Sequence, residues 1–134
     1  MKLLFIIYVL GVFILTGVLF QDNALKESMK RGSEIYADFC INCHLAQGEG
    51  VPNVFPPLAN SDYLQNNRFE SIAGVKYGQR GEIVVNGVTY NNIMMPMGLD
   101  DTEVADVMNF ILNSWGNSSE GLVTPEEVAK IQPK

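Results

Sequence analysis

Residues 40–44 read CINCH and contain both cysteines and the single histidine of the 134-residue chain. Cys40 and Cys43 stand three positions apart, and His44 follows the second thiol directly. Thiols and imidazole are the side chains that most readily bind metals or form covalent bonds in proteins. Because they are concentrated in one turn, the rest of the chain must fold around whatever that turn holds.

The C-x-x-C-H spacing is typical of covalent attachment of c-type haem. Two thiols on one turn can reach the two vinyl groups on one edge of the porphyrin, and His44 can then ligate the iron. A disulfide oxidoreductase would place C-x-x-C beside a βαβ pattern, which is not visible here, and structural zinc needs four ligands. A copper(I) site, which favours soft sulfur ligands, and a simple structural disulfide remain as alternatives.

A haem iron needs a second axial ligand or an open position. Since His44 is the only histidine, bis-histidine ligation is excluded by counting. Methionine is a usual partner of histidine in cytochromes. The sequence NNIMMPMG offers Met94, Met95 and Met97 in one loop, so we expect one of these three sulfurs to bind the iron.

The remaining pattern is mostly helical. Apolar residues recur at helical spacing within 32–43 and again after Asp100, which forms a predicted capping box with Glu103. Residues 62–79 indicate one or two short helices. Asn-Gly at 86–87, flanked by β-branched residues, predicts a two-residue hairpin turn. These few elements and the apolar loops between them require a large group at the centre.

The first twenty residues carry one charge, Lys2, and the apolar run 3–20 is long enough to span a bilayer as a helix. No A-x-A-like cleavage site follows it. We therefore predict a membrane anchor over 1–21, a linker over 22–31 and one domain over 32–134. A cleaved signal is the alternative, and both place the domain outside the cytoplasm unless the orientation is inverted.

The formal net charge of −6 bears on the partners that the chain can bind. Phosphate backbones repel an acidic domain, so nucleic acid is excluded as a partner. An acidic surface can instead be steered towards a basic patch on a protein.

Several motifs in order resemble the class I cytochromes c, from about Gly32 to Asn117. Gly32, Tyr36 and Cys40 reproduce the family's G-x-x-x-[YF]-x-x-x-C first helix, and Phe110 matches the aromatic residue of its last helix. The resemblance implies a mainly α fold, in which the N- and C-terminal helices cross over a haem-filled core with one small β-hairpin. Here a transmembrane helix would precede that fold.

The same resemblance implies roles for further residues. FPPLA is similar to the loop whose proline carbonyl accepts the Nδ1 proton of the haem histidine, which makes Pro56 the expected partner of His44. This bond would fix the tautomer of the ligand. The cofactor-binding set that we expect around one haem c consists of Cys40, Cys43, Tyr36, Phe55 and Pro56.

The region from Glu82 to Asn117 is similar to one subgroup: the cytochrome c domains fused to copper nitrite reductases, and related bacterial cytochromes that supply terminal oxidases. These carry a ligand methionine followed by proline, whereas this chain has two methionines before Pro96 and a third after it. Register counted from the cap at Asp100 favours Met94 as the ligand. Register set by the Met-Pro dipeptide favours Met95.

We therefore expect a one-electron carrier of a respiratory chain, and not an enzyme. Its partners would be an electron donor and a membrane-bound terminal oxidase or reductase. It would sit on the outer side of the bacterial inner membrane, or be soluble in the periplasm if the first segment is cleaved. The alternative functions are a copper(I) chaperone that uses C-x-x-C with the methionine loop, and a haem enzyme or gas sensor.

Overall fold

The structure is a computed structural model that describes residues 2–133, with side chains described from residue 23 onward and at residues 4, 6–8 and 11–13. Within those residues the chain forms six helices and one two-stranded sheet. In chain order the elements are α1 (Lys2–Phe39), α2 (Ile41–His44), α3 (Asp62–Asn66), α4 (Arg68–Tyr77), β1 (Ile83–Val85), β2 (Val88–Tyr90), α5 (Asp101–Leu112) and α6 (Pro125–Lys130).

Helices α1 and α5 cross at Gly32. A Cβ atom at this position would overlap the backbone carbonyl of Asp106 and lie 2.9 Å from Cβ of Phe110. Glycine is therefore required for the close approach of the two helices. The predicted crossing of the first and last helices of the core is confirmed.

The predicted linker is part of the folded domain where the structure describes its side chains. Residues 23–31 continue α1 and pack against α5. Ser28 is buried and donates a 2.6 Å hydrogen bond to the carboxylate of Asp106. Asn109, one turn further along α5, donates to Ser28 Oγ at 2.8 Å and to the Val123 carbonyl at 2.9 Å. Hydrogen bonds between side chains 78 to 81 positions apart thus hold this stretch, which the sequence pattern indicated only as a mainly polar lead-in.

Among the described residues, no helix combines the length and the hydropathy needed to cross a membrane. The anchor predicted over 1–21 falls largely on residues whose side chains lie outside the description, and the structure gives it no support.

The core is built on the apolar face of α5. Its members there, Val104, Val107, Met108 and Ile111, are at most 3% exposed. The C-terminal tail completes this core with Val123 and Val128, and α6 begins at the Thr124 cap, whose hydroxyl accepts from the Glu127 amide at 3.2 Å. Burial of large aliphatic side chains is the main term that favours folding.

Local signals in the sequence set the element boundaries as predicted. Asp100 accepts from the Glu103 amide while the Glu103 carboxylate accepts from the Asp100 amide, which is the predicted capping box. The hairpin pairs Val85 with Val88, and both turn residues between them have positive φ, 51° at Asn86 and 77° at Gly87. Such angles are those of the tight turn that Asn-Gly favours.

Candidate functional site

One large apolar cavity of about 470 Å³ lies between the end of α1, the loop 54–58, α4, the hairpin and the loop 92–99. Met108 and Ile111 of α5 form part of its wall. A cavity of this size and polarity is in the range of cofactor sites. The predicted attachment turn and the methionine loop both border it.

The attachment turn is compact. α1 ends at Phe39, and the His44 amide donates to the Cys40 carbonyl at 2.9 Å, so that the motif closes as a single turn. The two cysteines are not joined in a disulfide and both line the cavity; Cys40 is half-buried and Cys43 exposed. The motif therefore presents two sulfur atoms along one edge of an apolar cavity.

Burial affects the Cys40 thiol of the turn. Burial, with a smaller contribution from Cys43, raises the pKa of Cys40 to about 11, so this thiol is protonated at neutral pH. A thiol binds metals as the thiolate. Among the residues described, no group of three or more His, Cys, Asp and Glu side chains is arranged to hold a metal ion. The copper(I) alternative also relies on methionine sulfurs, which lie outside that set of side chains.

His44 is held in one tautomer. Its ring is buried, at 8% exposure, and Nδ1 lies 3.0 Å from the carbonyl oxygen of Pro56. Since a carbonyl can only accept, Nδ1 carries the hydrogen and Nε2 the lone pair. Burial lowers the pKa of His44, and the hydrogen bond to Pro56 opposes this effect only in part. Because the pKa is lowered, the ring is neutral. A neutral imidazole with a free Nε2 is the form that ligates a metal.

Phe55 and Pro56 line the cavity, but Tyr36 does not lie on its wall. The Tyr36 hydroxyl donates to the Leu45 carbonyl at 2.7 Å, and its ring packs on Phe110 and Trp115 at centroid distances of 5.5 and 4.9 Å. That Tyr36 contacts the cofactor stays a prediction; the contacts in the structure show that this residue supports the attachment turn and the packing of the helices. Its spacing in the motif reflects helix packing.

The three methionines of the loop differ in their surroundings, although all border the cavity. Met94 is half-buried, and its backbone exchanges two 2.9 Å hydrogen bonds with Gln79. Met97 is also half-buried. Met95 is 55% exposed, and its sulfur lies 3.9 Å from Nη2 of Arg80. Position alone thus favours Met94 or Met97 over Met95.

The wall residues that were not singled out from the sequence include Tyr63, Glu70 and Gln79. Tyr63 and Glu70 bring polar groups to an otherwise apolar surface. Burial, and secondarily the charge of Glu70, raises the pKa of Tyr63. These residues have no motif of their own, because the fold and not the local sequence brings them to the cavity.

The residues fit a large, flat, apolar group with a metal at its centre and two thiol-reactive substituents on one edge. The apolar wall would bury the ring, the two sulfurs of the turn would reach one edge, and Nε2 of His44 would reach the metal. Fold and site together define a c-type cytochrome.

Comparison with known proteins agrees. The profile of the cytochrome c family matches residues 29–115, and the chain belongs to this family. Cytochrome c-552 of Thermus thermophilus is 38% identical over 112 residues, which cover 77% of this chain and 85% of that protein.

Longer relatives are subunits of dehydrogenases. The cytochrome c subunit of alcohol dehydrogenase (quinone) from Gluconobacter oxydans is 33% identical over 105 residues, which cover 75% of this chain but 22% of the subunit. The cytochrome c subunit of gluconate 2-dehydrogenase from Pantoea cypripedii is 28% identical over 128 residues, 84% of this chain and 27% of the subunit. The match therefore concerns one part of each larger protein.

Family membership identifies the chain as a monohaem electron carrier with one covalently attached haem c. The fold prediction is confirmed for its helical domain and small sheet.

Proposed function

We propose that this chain carries single electrons on a haem c that is attached through Cys40 and Cys43 and ligated by His44 and Met94. When bound, the haem supplies a one-electron iron couple. His44 and Met94 would occupy both axial positions of the iron, so that no position is open to substrate. The role is that of a carrier, with no substrate chemistry of its own.

The observation that carries the proposal is the bond between His44 and Pro56. It fixes the hydrogen on Nδ1 and leaves Nε2 of a buried, neutral ring as the ligating atom, directly after the two cysteines of the turn. A carbonyl partner also raises the basicity of the imidazole and so strengthens its bond to iron.

Met94 is supported as the second ligand by its half-buried position on the cavity wall and by the two backbone bonds that hold it. A ligand that is fixed before the iron changes charge needs little rearrangement during electron transfer. Met95 is the alternative ligand, but its exposed side chain and its contact with Arg80 disfavour it.

We further propose that the partner is a membrane-associated oxidoreductase that offers a basic docking surface. Two of the relatives are cytochrome c subunits of dehydrogenases, and the sequence also resembles oxidase-linked cytochromes. Delivery to a terminal oxidase or reductase, and an anchor over 1–21 that holds the domain outside the cytoplasm, remain predictions. Fractionation of cells with and without residues 1–21 tests the anchor: full-length protein is expected in the membrane pellet, and its recovery in the soluble fraction would contradict the anchor.

The test of ligation is a set of single variants expressed in a host that matures c-type cytochromes. The unchanged protein is expected to give a c-type pyridine haemochrome and no thiols open to alkylation. Met94→Ala is expected to retain covalent haem, lose the far-red methionine-to-iron absorption band and bind carbon monoxide when reduced. Met95→Ala and Met97→Ala are the matched controls, which are expected to keep the band. Loss of the band in Met95→Ala instead would reassign the ligand.

A further inference from the structure

The methionine loop poses a problem of register. Three methionines occupy four positions between 94 and 97, and each sulfur can in principle bind iron. In an extended segment, a shift of one residue turns every side chain to the opposite face. A constraint outside the three side chains must therefore decide which of them binds the iron.

The backbone supplies such a constraint at the end of α4. The Gln79 amide donates to the Met94 carbonyl at 2.9 Å, and the Met94 amide donates to the Gln79 carbonyl at 2.9 Å. The two residues thus form an isolated antiparallel bridge. Such a reciprocal pair fixes both the position and the rotation of Met94, because its donor and its acceptor are both engaged.

Gly78 makes this bridge possible. Its φ is +86°, a value that residues with side chains rarely adopt. A Cβ built at Gly78 would lie 2.6 Å from the Met94 carbonyl oxygen and 3.0 Å from Cδ of Pro96. The methionine loop therefore rests directly on the backbone of Gly78, and any side chain there would push it away.

We infer that Gly78 and Gln79 form a register clamp, which selects Met94 from the three methionines as the iron ligand. This inference rests on the proposed ligation by Met94. The neighbouring Met95 also borders the cavity but leaves 55% of its surface exposed, whereas Met94 is half-buried, which agrees with a register that favours Met94. The clamp residues are positioning residues, because they act on the ligand through its backbone.

The decisive variant is Gly78→Ala, and Gly81→Ala is its matched control. Gly81 has nearly the same positive φ, +83°, but an added Cβ there has no neighbour within 4 Å. Both variants place a Cβ on a residue with positive φ close to the loop, while Gly78→Ala alone displaces Met94. We expect Gly78→Ala to lose most of the far-red band and to bind carbon monoxide when reduced. Gly81→Ala should match the unchanged protein in both measurements.

If Gly78→Ala retains the far-red band, the double variant of Gly78→Ala with Met94→Ala shows which methionine gives rise to it. If the band survives in the double variant, another methionine has taken over the iron, and the clamp is supported. If the band disappears, Met94 was still selected without the clamp, and the inference is overturned. Equal loss of the band in Gly78→Ala and Gly81→Ala would also overturn it, because general strain would then explain both.

Amide hydrogen exchange on the unchanged haem protein provides a second test if Gly78→Ala does not fold. The clamp requires the amides of Gln79 and Met94 to exchange much more slowly than those of Arg80 and Gly98; equal rates overturn it.

Failure of the clamp can be distinguished from failure of the proposed ligation by Met94. If single Met94→Ala keeps the band, the ligand assignment has failed; if it loses the band, and Gly78→Ala keeps a band that disappears in the double variant, only the clamp has failed.

Discussion

The Arg31 guanidinium and the Asp106 carboxylate join α1 to α5 by two hydrogen bonds, 2.6 Å from Nε to Oδ2 and 2.8 Å from Nη2 to Oδ1. The Asp106 side chain is 7% exposed, and that of Arg31 is 54% exposed. A buried carboxylate is thus neutralised by a cation that reaches it from the surface, which is the arrangement that a buried charge requires. The pair extends the contact between the helices past their crossing at Gly32.

We predict that Arg31→Ala lowers the free energy of unfolding by about 1–2 kcal/mol, because it leaves the buried Asp106 with only part of its hydrogen bonding. The half-exposed arginine is screened by solvent, which keeps the loss below that of a fully buried pair. Guanidinium unfolding followed by circular dichroism measures the loss. Lys30→Ala, which removes the same charge from an exposed neighbour on the helix, is expected to change stability little. Equal effects of the two variants would contradict a specific role of the pair.

The parts of the fold that the sequence predicted are those with local causes. The cap at Asp100, the Asn-Gly turn and the apolar face of α5 each depend on residues within a few positions of one another. The extent of α1 was missed because Ser28 and Arg31 acquire their partners only after α5 has packed against them. A mainly polar segment before a helix is interpreted as a linker when the residues that it contacts lie more than 70 positions away in sequence.

The same distinction holds at the site. The C-x-x-C-H turn could be recognised from five consecutive residues, and the family resemblance predicted Pro56 as the hydrogen-bond partner of His44. Tyr36 was predicted at the cofactor because its spacing matches a motif, and the contacts that the structure shows for it are those of the attachment turn and of helix packing. The bridge between Gln79 and Met94 uses backbone atoms alone, so no side-chain pattern could have indicated it.

The crossing at Gly32 leads to a second prediction. Gly32→Ala is expected to destabilise the domain by several kcal/mol, on the order of 3, because the added methyl group overlaps the Asp106 carbonyl and must separate the helices. Gly11→Ala makes the same change in the same helix where a Cβ has no neighbour within 4 Å, and should leave the unfolding midpoint of the domain unchanged. Thermal and guanidinium unfolding of the haem protein compare the two. A small effect at Gly32 would show that α1 and α5 can separate without loss.

The hairpin turn provides a third prediction, in which two functions of Asn86 are separated. Its Oδ1 accepts from the Asp62 amide at 3.0 Å, its own amide donates to the Asp62 carboxylate at 2.7 Å, and its φ is positive. Asn86→Gly loses the Oδ1 acceptor but tolerates the positive φ. Asn86→Ala loses the acceptor and also adopts the positive φ unfavourably. We expect Ala to be about 1 kcal/mol less stable than Gly, which is the cost of a left-handed residue with a Cβ. Urea unfolding of the three proteins measures this difference, and equal stability of Ala and Gly would refute the assigned role of the turn angle.

The C-terminal tail gives a fourth prediction, which depends on pH. Arg68 donates to both carboxylate oxygens of Glu127, at 2.7 and 2.9 Å, and these bonds lower the pKa of Glu127 below its ordinary value of 4.5. A carboxyl whose pKa is lower in the folded state stabilises the fold above its unfolded pKa and loses that contribution as the pH falls through the folded value. At pH 7, Glu127→Gln should therefore be about 1 kcal/mol less stable than the unchanged protein, a modest value because both side chains are about a quarter exposed. Below the ordinary pKa the difference should shrink, and it should vanish once the pH is below the folded pKa of Glu127.

Guanidinium unfolding of the haem protein at a series of pH values tests this dependence. Other acid-sensitive interactions are common to both proteins and cancel in the difference. Glu120→Gln removes an equivalent charge at an exposed position of the same tail and is expected to show no such trend. A loss in Glu127→Gln that stays constant from pH 7 to pH 3 would mean that Glu127 holds the tail by packing rather than through its ion pair with Arg68.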